Sequence, residues 1–119
     1  MQKLRVLDLF SGSGGFSLGL ERTGGFQTVA FCEVEPFARR ILYKHWPEVP
    51  ALEDVAAADF ETVGPVDLVT AGFPCQDISF AGKGAGLSGD RSGLFWHILR
   101  AVCLVGQPRI LLENVAGLL

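Results

Sequence analysis

The chain has 119 residues, 49% hydrophobic and 19% charged, which is too apolar for a disordered segment and suits one domain with a single core. Its net charge of −3 is the wrong sign for a free-standing nucleic-acid binder, and the scattered Cys32, Cys75 and Cys103 form neither a disulfide framework nor, with His45 and His97, a zinc site. The apolar runs are too short to cross a bilayer and no signal region opens the chain, so the expectation is one cytoplasmic domain over 1–119, without membrane or metal.

Leu4–Phe10 (LRVLDLF) reads as a buried strand that runs into a glycine cluster, and a helix follows through about Thr23, ended by Gly24-Gly25. Phe26–Glu33 reads as a second strand. Pro36 suits the first turn of a helix reaching about His45, with Phe37, Ile41 and Leu42 on one face and Trp46-Pro47 as its stop. A weak third strand is expected near Val49–Leu52, a short helix over Val55–Phe60, and a strong fourth strand over Val66–Ala71. Leu94–Val105 has helical spacing, and Arg109–Glu113 (RILLE) is a fifth strand. Strands alternating with helices predict βαβ units, hence a doubly wound, mostly parallel α/β sheet, with ligands at the carboxyl ends of its strands.

The polar and glycine-rich residues fall at those ends. In Asp8-Leu9-Phe10-Ser11-Gly12-Ser13-Gly14-Gly15-Phe16 a strand enters a tight turn that opens a helix, a geometry that lets backbone approach a ligand. Ser17 replaces the last glycine of a dinucleotide fingerprint, so the turn suits a zwitterionic amino-acid moiety better than a pyrophosphate. A purely structural glycine turn would look the same. Glu33 follows strand two about twenty residues later, where a carboxylate can accept both hydroxyls of a ribose. Taken singly it reads equally as a surface acid opening a helix. Asp54, past the third strand, is placed to contact an adenine or simply to face water.

Directly after strand four comes Gly72-Phe73-Pro74-Cys75-Gln76. A cysteine at that rim is placed as a nucleophile, and Pro74 fixes the backbone before it. A lone cysteine is more often a small buried hydrophobe, and only roughly a few per cent of a thiol with a pKa near 8.5 is ionised at neutral pH, so activation is required. The long glycine-rich stretch Gln76–Gly93, with Lys83 and Arg91, has the length of a lid over a site. Glu113-Asn114-Val115 ends strand five, where a carboxylic acid can reach a base held near Cys75.

Together, DLFSGSGGF, FCEVEPFA, the LEDV step, GFPCQDISFAGKG, DRSGLF and ENV resemble the DNA (cytosine-5) methyltransferase family, in the family's order and over essentially the whole chain. The Pro-Cys pair and the Glu-Asn-Val triplet are the most specific of these. The resemblance implies a Rossmann-like S-adenosylmethionine-dependent fold, cut after the fifth strand. It implies that Cys75 adds to carbon 6 of a flipped-out cytosine while Glu113 holds or protonates ring nitrogen 3, so that carbon 5 takes the methyl group. Asn114 would position Pro74 and the cysteine loop, and Arg91, on a loop closing over double-stranded DNA, would touch phosphate. Around the cofactor, Phe10 would face the adenine, Glu33 the ribose and Asp54 the adenine amino group. Ser11, Gly12, Gly14, Gly15 and Phe16 would form the turn beside it. Val34, Val55, Gly72, Pro74 and Leu94 would complete the pocket.

Two departures stand out. Val34 occupies a place where the family often carries an aromatic residue, which weakens adenine stacking. The sequence also stops at Leu119, with no counterpart of the family's arginine-bearing strand, target-recognition domain or closing cofactor motif. The expectation is an incomplete catalytic piece, inactive alone, that self-associates or pairs with a complementary C-terminal chain. Most of the positive surface for DNA would then lie in the missing half. The competing readings are a non-catalytic S-adenosylmethionine-binding or docking module, an RNA cytosine-5 methyltransferase piece, and a nicotinamide oxidoreductase, the last disfavoured by Ser17 and by the Pro-Cys and Glu-Asn-Val pair.

Overall fold

The computed structural model describes residues 2–72 and 93–113, apart from the side chain of Leu94. Five strands carry the fold: β1 (Leu4–Leu9), β2 (Phe26–Cys32), β3 (Ala51–Leu52), β4 (Leu68–Gly72) and β5 (Arg109–Glu113). They lie in the order β3-β2-β1-β4-β5, and every pairing is parallel. The order reverses between β1 and β4, so the crevice at their carboxyl ends is where a doubly wound sheet takes its ligand.

Helices α1 (Gly15–Arg22), α2 (Pro36–His45) and α3 (Gly93–Leu104) flank the sheet. Successive strand residues face opposite sides. Leu7, Leu9, Ala30, Cys32, Val69 and Ala71 form one buried layer with Phe60 and with Ile98, Ala101 and Val102 of α3. The alternate residues Asp8, Thr28, Phe31 and Thr70 are buried on the other side, beneath Ser17 of α1 and Leu42 of α2. The register of β1 and β2 slips between Val6 and Leu7, so Thr28 and Ala30 oppose consecutive residues of β1. That bulge keeps the polar Thr28 under α1 and the apolar Ala30 in the opposite core.

The doubly wound parallel sheet is as expected, and β5 matches its expected span residue for residue. Three local expectations are corrected. Val55–Phe60 is no helix: Asp54 accepts the N–H of Ala56 on its side chain and those of Ala57 and Ala58 on its carbonyl, giving a single turn. Asp59 then caps a short 3-10 helix, Phe60–Thr62. Two aspartates, each bonding the backbone just ahead, break the segment into separate turns. Phe37 is 61% exposed, whereas Leu42 of the same helix is buried. The third strand shrinks to Ala51–Leu52 because Pro50 has no N–H to give, and it contributes only the carbonyl that Phe31 N–H reaches.

Candidate functional site

The site builds outward from the end of β1. Phe10 leaves the strand with φ 52°, a left-handed backbone that a bulky residue rarely adopts, and Gly12 and Gly14 follow at 56° and 95°. Ser11 N–H donates to Cys32 O at 3.3 Å and Ser11 Oγ to Asp8 O, which folds the turn back over β1 and β2. Gly14 caps α1 without any side-chain bond, and a Cβ placed on Gly12 or Gly15 would meet nothing within 4 Å. The turn therefore presents open backbone at the start of a helix, where negative charge and hydrogen-bond acceptors are favoured.

Glu33, just past β2, is tied to this turn. Its Oε1 accepts Gly12 N–H at 2.7 Å and its Oε2 accepts Glu35 N–H at 2.8 Å. A carboxylate offers about four lone-pair sites, so each oxygen keeps one free for a diol. Arg39 holds the backbone beside it, donating to Glu33 O and Leu52 O, each at 2.9 Å. Val34 is 63% exposed next to this carboxylate. Asp54 is exposed and its Oδ1 is engaged by Ala56 N–H, while the Val55 side chain turns into the core and its carbonyl accepts from Arg100 Nη1 at 3.2 Å, so only its N–H is left for a ligand. Phe16 is half-buried in the first turn of α1.

On the other side of β1, Gly72 ends β4 opposite Glu113 of β5. A Cβ on Gly72 would lie 3.0 Å from Glu113 Oε2 and 3.9 Å from Phe10 O. The Glu113 carboxylate is thereby brought to the end of β1, in the same crevice as the glycine turn. Pro74, Cys75, Arg91 and Asn114 lie outside the described residues, as do the side chain of Leu94 and the expected loop up to residue 92, while Gly93 already opens α3.

A polar cluster lies directly beneath the turn. Ser17 Oγ donates to Asp8 Oδ2 and accepts from Thr28 Oγ1, both at 2.6 Å, with all three residues buried. Burial pushes the Asp8 carboxyl up to about 6, with hydrogen bonds from Ser17 and the proximity of the Thr70 hydroxyl opposing the shift in part. Thr70 sits across from Asp8 in the register, yet neither its Oγ1 nor Asp8 Oδ1 makes a hydrogen bond of good geometry. The residue in the place of the last fingerprint glycine thus has its own work: it anchors α1 to a buried acid. Nearby, burial and then the Asp54 and Glu33 carboxylates push the Cys32 thiol up to about 12, which makes it inert as a nucleophile.

Sequence reasoning passed over four residues of this neighbourhood: Asp8 as a buried acid, Ser17 as its partner, Glu21 and Trp46. Ser17 carried a signal, being a small polar residue at a helical spacing that faces the strand end. Glu21 and Trp46 meet only in three dimensions, where Trp46 Nε1–H donates to Glu21 Oε1 at 2.9 Å. Among the described residues no group of three or more His, Cys, Asp or Glu is arranged to hold a metal ion, and no helix is long and apolar enough to cross a membrane.

Comparison with known proteins fits this geometry. The profile of the C-5 cytosine-specific DNA methylases matches residues 4–119. The type II methyltransferase M2.BsuMI of Bacillus subtilis (strain 168) is 42% identical over 120 residues, covering 98% of this chain and 30% of that protein. M.Eco47II of Escherichia coli is 41% identical over 116 residues, covering 96% of this chain and 28% of its own length. Among solved structures, a prophage-encoded DNA modification methyltransferase of E. coli superposes with a TM-score of 0.75 at 34% identity, over 98% of this chain and 33% of that one. The Dnmt2 methyltransferase of S. pombe gives 0.71 at 25% identity, over 98% and 36%. The chain thus spans about 30% of the length of the curated relatives it matches.

Proposed function

The chain belongs to the C-5 cytosine-specific DNA methylase family, and from that premise we propose that it carries the cofactor site and the nucleophile of an enzyme that methylates carbon 5 of cytosine in double-stranded DNA. The observation that carries this reading is the bond from Gly12 N–H to Glu33 Oε1, which joins the glycine turn to the carboxylate that the reading gives to a ribose. S-adenosylmethionine fits what is there: open backbone at Gly12 and Gly15, two unused acceptor positions on Glu33, and Asp54 exposed beyond the third strand. When bound, it supplies an electrophilic methyl group on a sulfonium sulfur.

The chain's residues prepare the base to receive that group. The Cys75 thiolate forms a bond to carbon 6 of a cytosine taken out of the stack. Glu113 gives a proton to ring nitrogen 3, and the electron pair released from the 5,6 double bond makes carbon 5 nucleophilic. After carbon 5 is methylated, a solvent base removes its proton and nitrogen 3 returns its own to Glu113. The bond from carbon 6 to sulfur breaks and Cys75 leaves as thiolate. Asn114 steadies Pro74 and the cysteine loop, and Arg91 meets a DNA phosphate. The grip on double-stranded DNA is assigned largely to residues beyond these 119, in a complementary C-terminal segment or chain.

Calorimetry with S-adenosylmethionine tests the cofactor site. Weak, saturable binding that Glu33→Ala reduces is expected; neither heat nor thermal stabilisation at millimolar ligand would overturn it. The 119 residues alone are expected to transfer no methyl group to DNA at a useful rate, because losing the positioning of the base costs about two or more powers of ten. Transfer of labelled methyl by the chain alone, abolished by Cys75→Ala, would contradict that expectation. Transfer that appears only with the C-terminal remainder of a relative, and requires Cys75, would support the whole assignment.

A further inference from the structure

Trp46 lies at the end of α2, outside the residues assigned to the cofactor or the base. Its indole nevertheless touches both ends of α1. At the amino end, a Cβ placed on Gly14 would fall 2.6 Å from Trp46 Cζ3 and 2.8 Å from Cη2, closer than real side chains approach. At the carboxyl end, the indole N–H is donated to Glu21 Oε1 at 2.9 Å, and Glu21 Oε2 accepts Thr28 N–H at 2.9 Å, beside the bulge of β2. The ring is fixed from below by Phe31, edge-on at 5.1 Å between centroids. It is fixed along the chain by the bond from Trp46 N–H to Leu42 O that closes α2.

We propose that Trp46, clamped by Glu21, is a positioning residue for the cofactor turn: the indole is the floor on which Gly14 rests, and it sets the height and tilt of the Gly12–Gly15 backbone. A tryptophan serving only the core would not need a bare glycine pressed against its ring edge. Its N–H, which a half-buried indole has to satisfy in any case, is met by the last turn of the same helix whose first turn the ring supports. Gly12 N–H is taken by Glu33 and Gly14 N–H by Ser11 O, so with both ends of α1 referred to one rigid indole, it is the direction of the N–H groups in the first turn of α1 that follows from where the indole sits. The inference rests on the cofactor reading above, because the turn is what Trp46 positions.

The test uses the 119-residue chain with Trp96→Phe, so that Trp46 is its sole tryptophan. Titration with S-adenosylmethionine is expected to change Trp46 emission, saturating at the Kd that calorimetry gives. Trp46→Phe, which keeps a ring against Gly14, is expected to hold Kd within a few-fold. Trp46→Ala is expected to raise Kd by about tenfold or more, the equivalent of one lost interaction of about 1.4 kcal/mol, with the far-ultraviolet circular dichroism unchanged. Emission that stays flat while calorimetry shows saturation would overturn the proposal and leave the cofactor site standing, as would a folded Trp46→Ala chain with native Kd. If Trp46→Ala does not fold, the emission titration and Trp46→Phe decide. No calorimetric binding by the parent chain would remove the cofactor site, and the proposal with it.

Discussion

Asp8 is 1% exposed on a central strand, and burial lifts its carboxyl from 3.8 to about 6. The folded chain therefore holds this proton more tightly than the unfolded chain does. The stability linked to it is fully present below about pH 4 and is lost as pH rises through about 6, a change of roughly 3 kcal/mol. Asp8→Asn keeps an acceptor for Ser17 Oγ–H and adds an N–H donor across from Thr70 Oγ1, one of the buried atoms without a hydrogen bond. Urea denaturation of the variant is expected to lack the loss of stability that Asp8 contributes between about pH 4 and pH 6, and to show a gain of roughly 1–3 kcal/mol near pH 8 over the parent. A variant that keeps the parent's slope would place that proton on another group. Spacing marked Ser17 as a small polar residue facing the strand end but did not reveal its partners. Ser17 read as a missing glycine, and its hydroxyl acquires meaning only once α1 lies over β1 and β2 and brings Asp8 and Thr28 within 2.6 Å.

Among the elements, what could be read was what the chain decides locally. Gly24, at φ 84°, follows α1, and Pro36 occupies the first turn of α2, each as its side chain or lack of one demands. What could not be read was decided by distant partners. β4 starts at Leu68 instead of Val66 because Val66 N–H goes to Val105 O, and because Asp67 binds Arg5 N–H through its carboxylate at 2.7 Å. Phe37 looked like part of an apolar face, but it stands out in solvent with the Arg40 guanidinium 5.7 Å from its ring centre. Glu35, inside the FCEVEPFA segment, is the N-cap of α2, its carboxylate accepting Ala38 N–H at 2.8 Å. Removing that acceptor leaves an orphan donor in the first turn, so Glu35→Ala is expected to lower stability by about 1 kcal/mol. Thermal unfolding checks it, and an unchanged midpoint would mean that water replaces the cap at no cost. The consequence extends beyond stability, because α2 ends in the tryptophan that faces Gly14.

For the molecule as a whole, the weakest boundary is β5. Among the described residues this strand pairs on one side only, with β4, and lies at the edge of the sheet. Strands inside a parallel sheet are normally covered on both faces, yet Ile110 and Leu111, which point to opposite faces, are 40% and 42% exposed. An edge of this kind combines unpaired backbone with apolar side chains and is a template for another strand. Completing the burial of each such side chain is worth roughly 1 kcal/mol, a part of the 1.5–3 kcal/mol for full burial. The net charge of −3 opposes association weakly, since charges farther apart than about 8 Å are largely screened at physiological salt. The 119 residues alone are therefore expected to self-associate as concentration rises, and to stop doing so when the C-terminal remainder of a relative is added to take the edge. Light scattering over a concentration series, with and without that added chain, reads both outcomes. Replacing the two apolar residues with lysine, as Ile110→Lys with Leu111→Lys, should give a monomer throughout, because charge on an edge strand blocks pairing. A parent chain that is already a clean monomer at high concentration, and is indifferent to the added half, would mean that β5 is covered by residues outside those described.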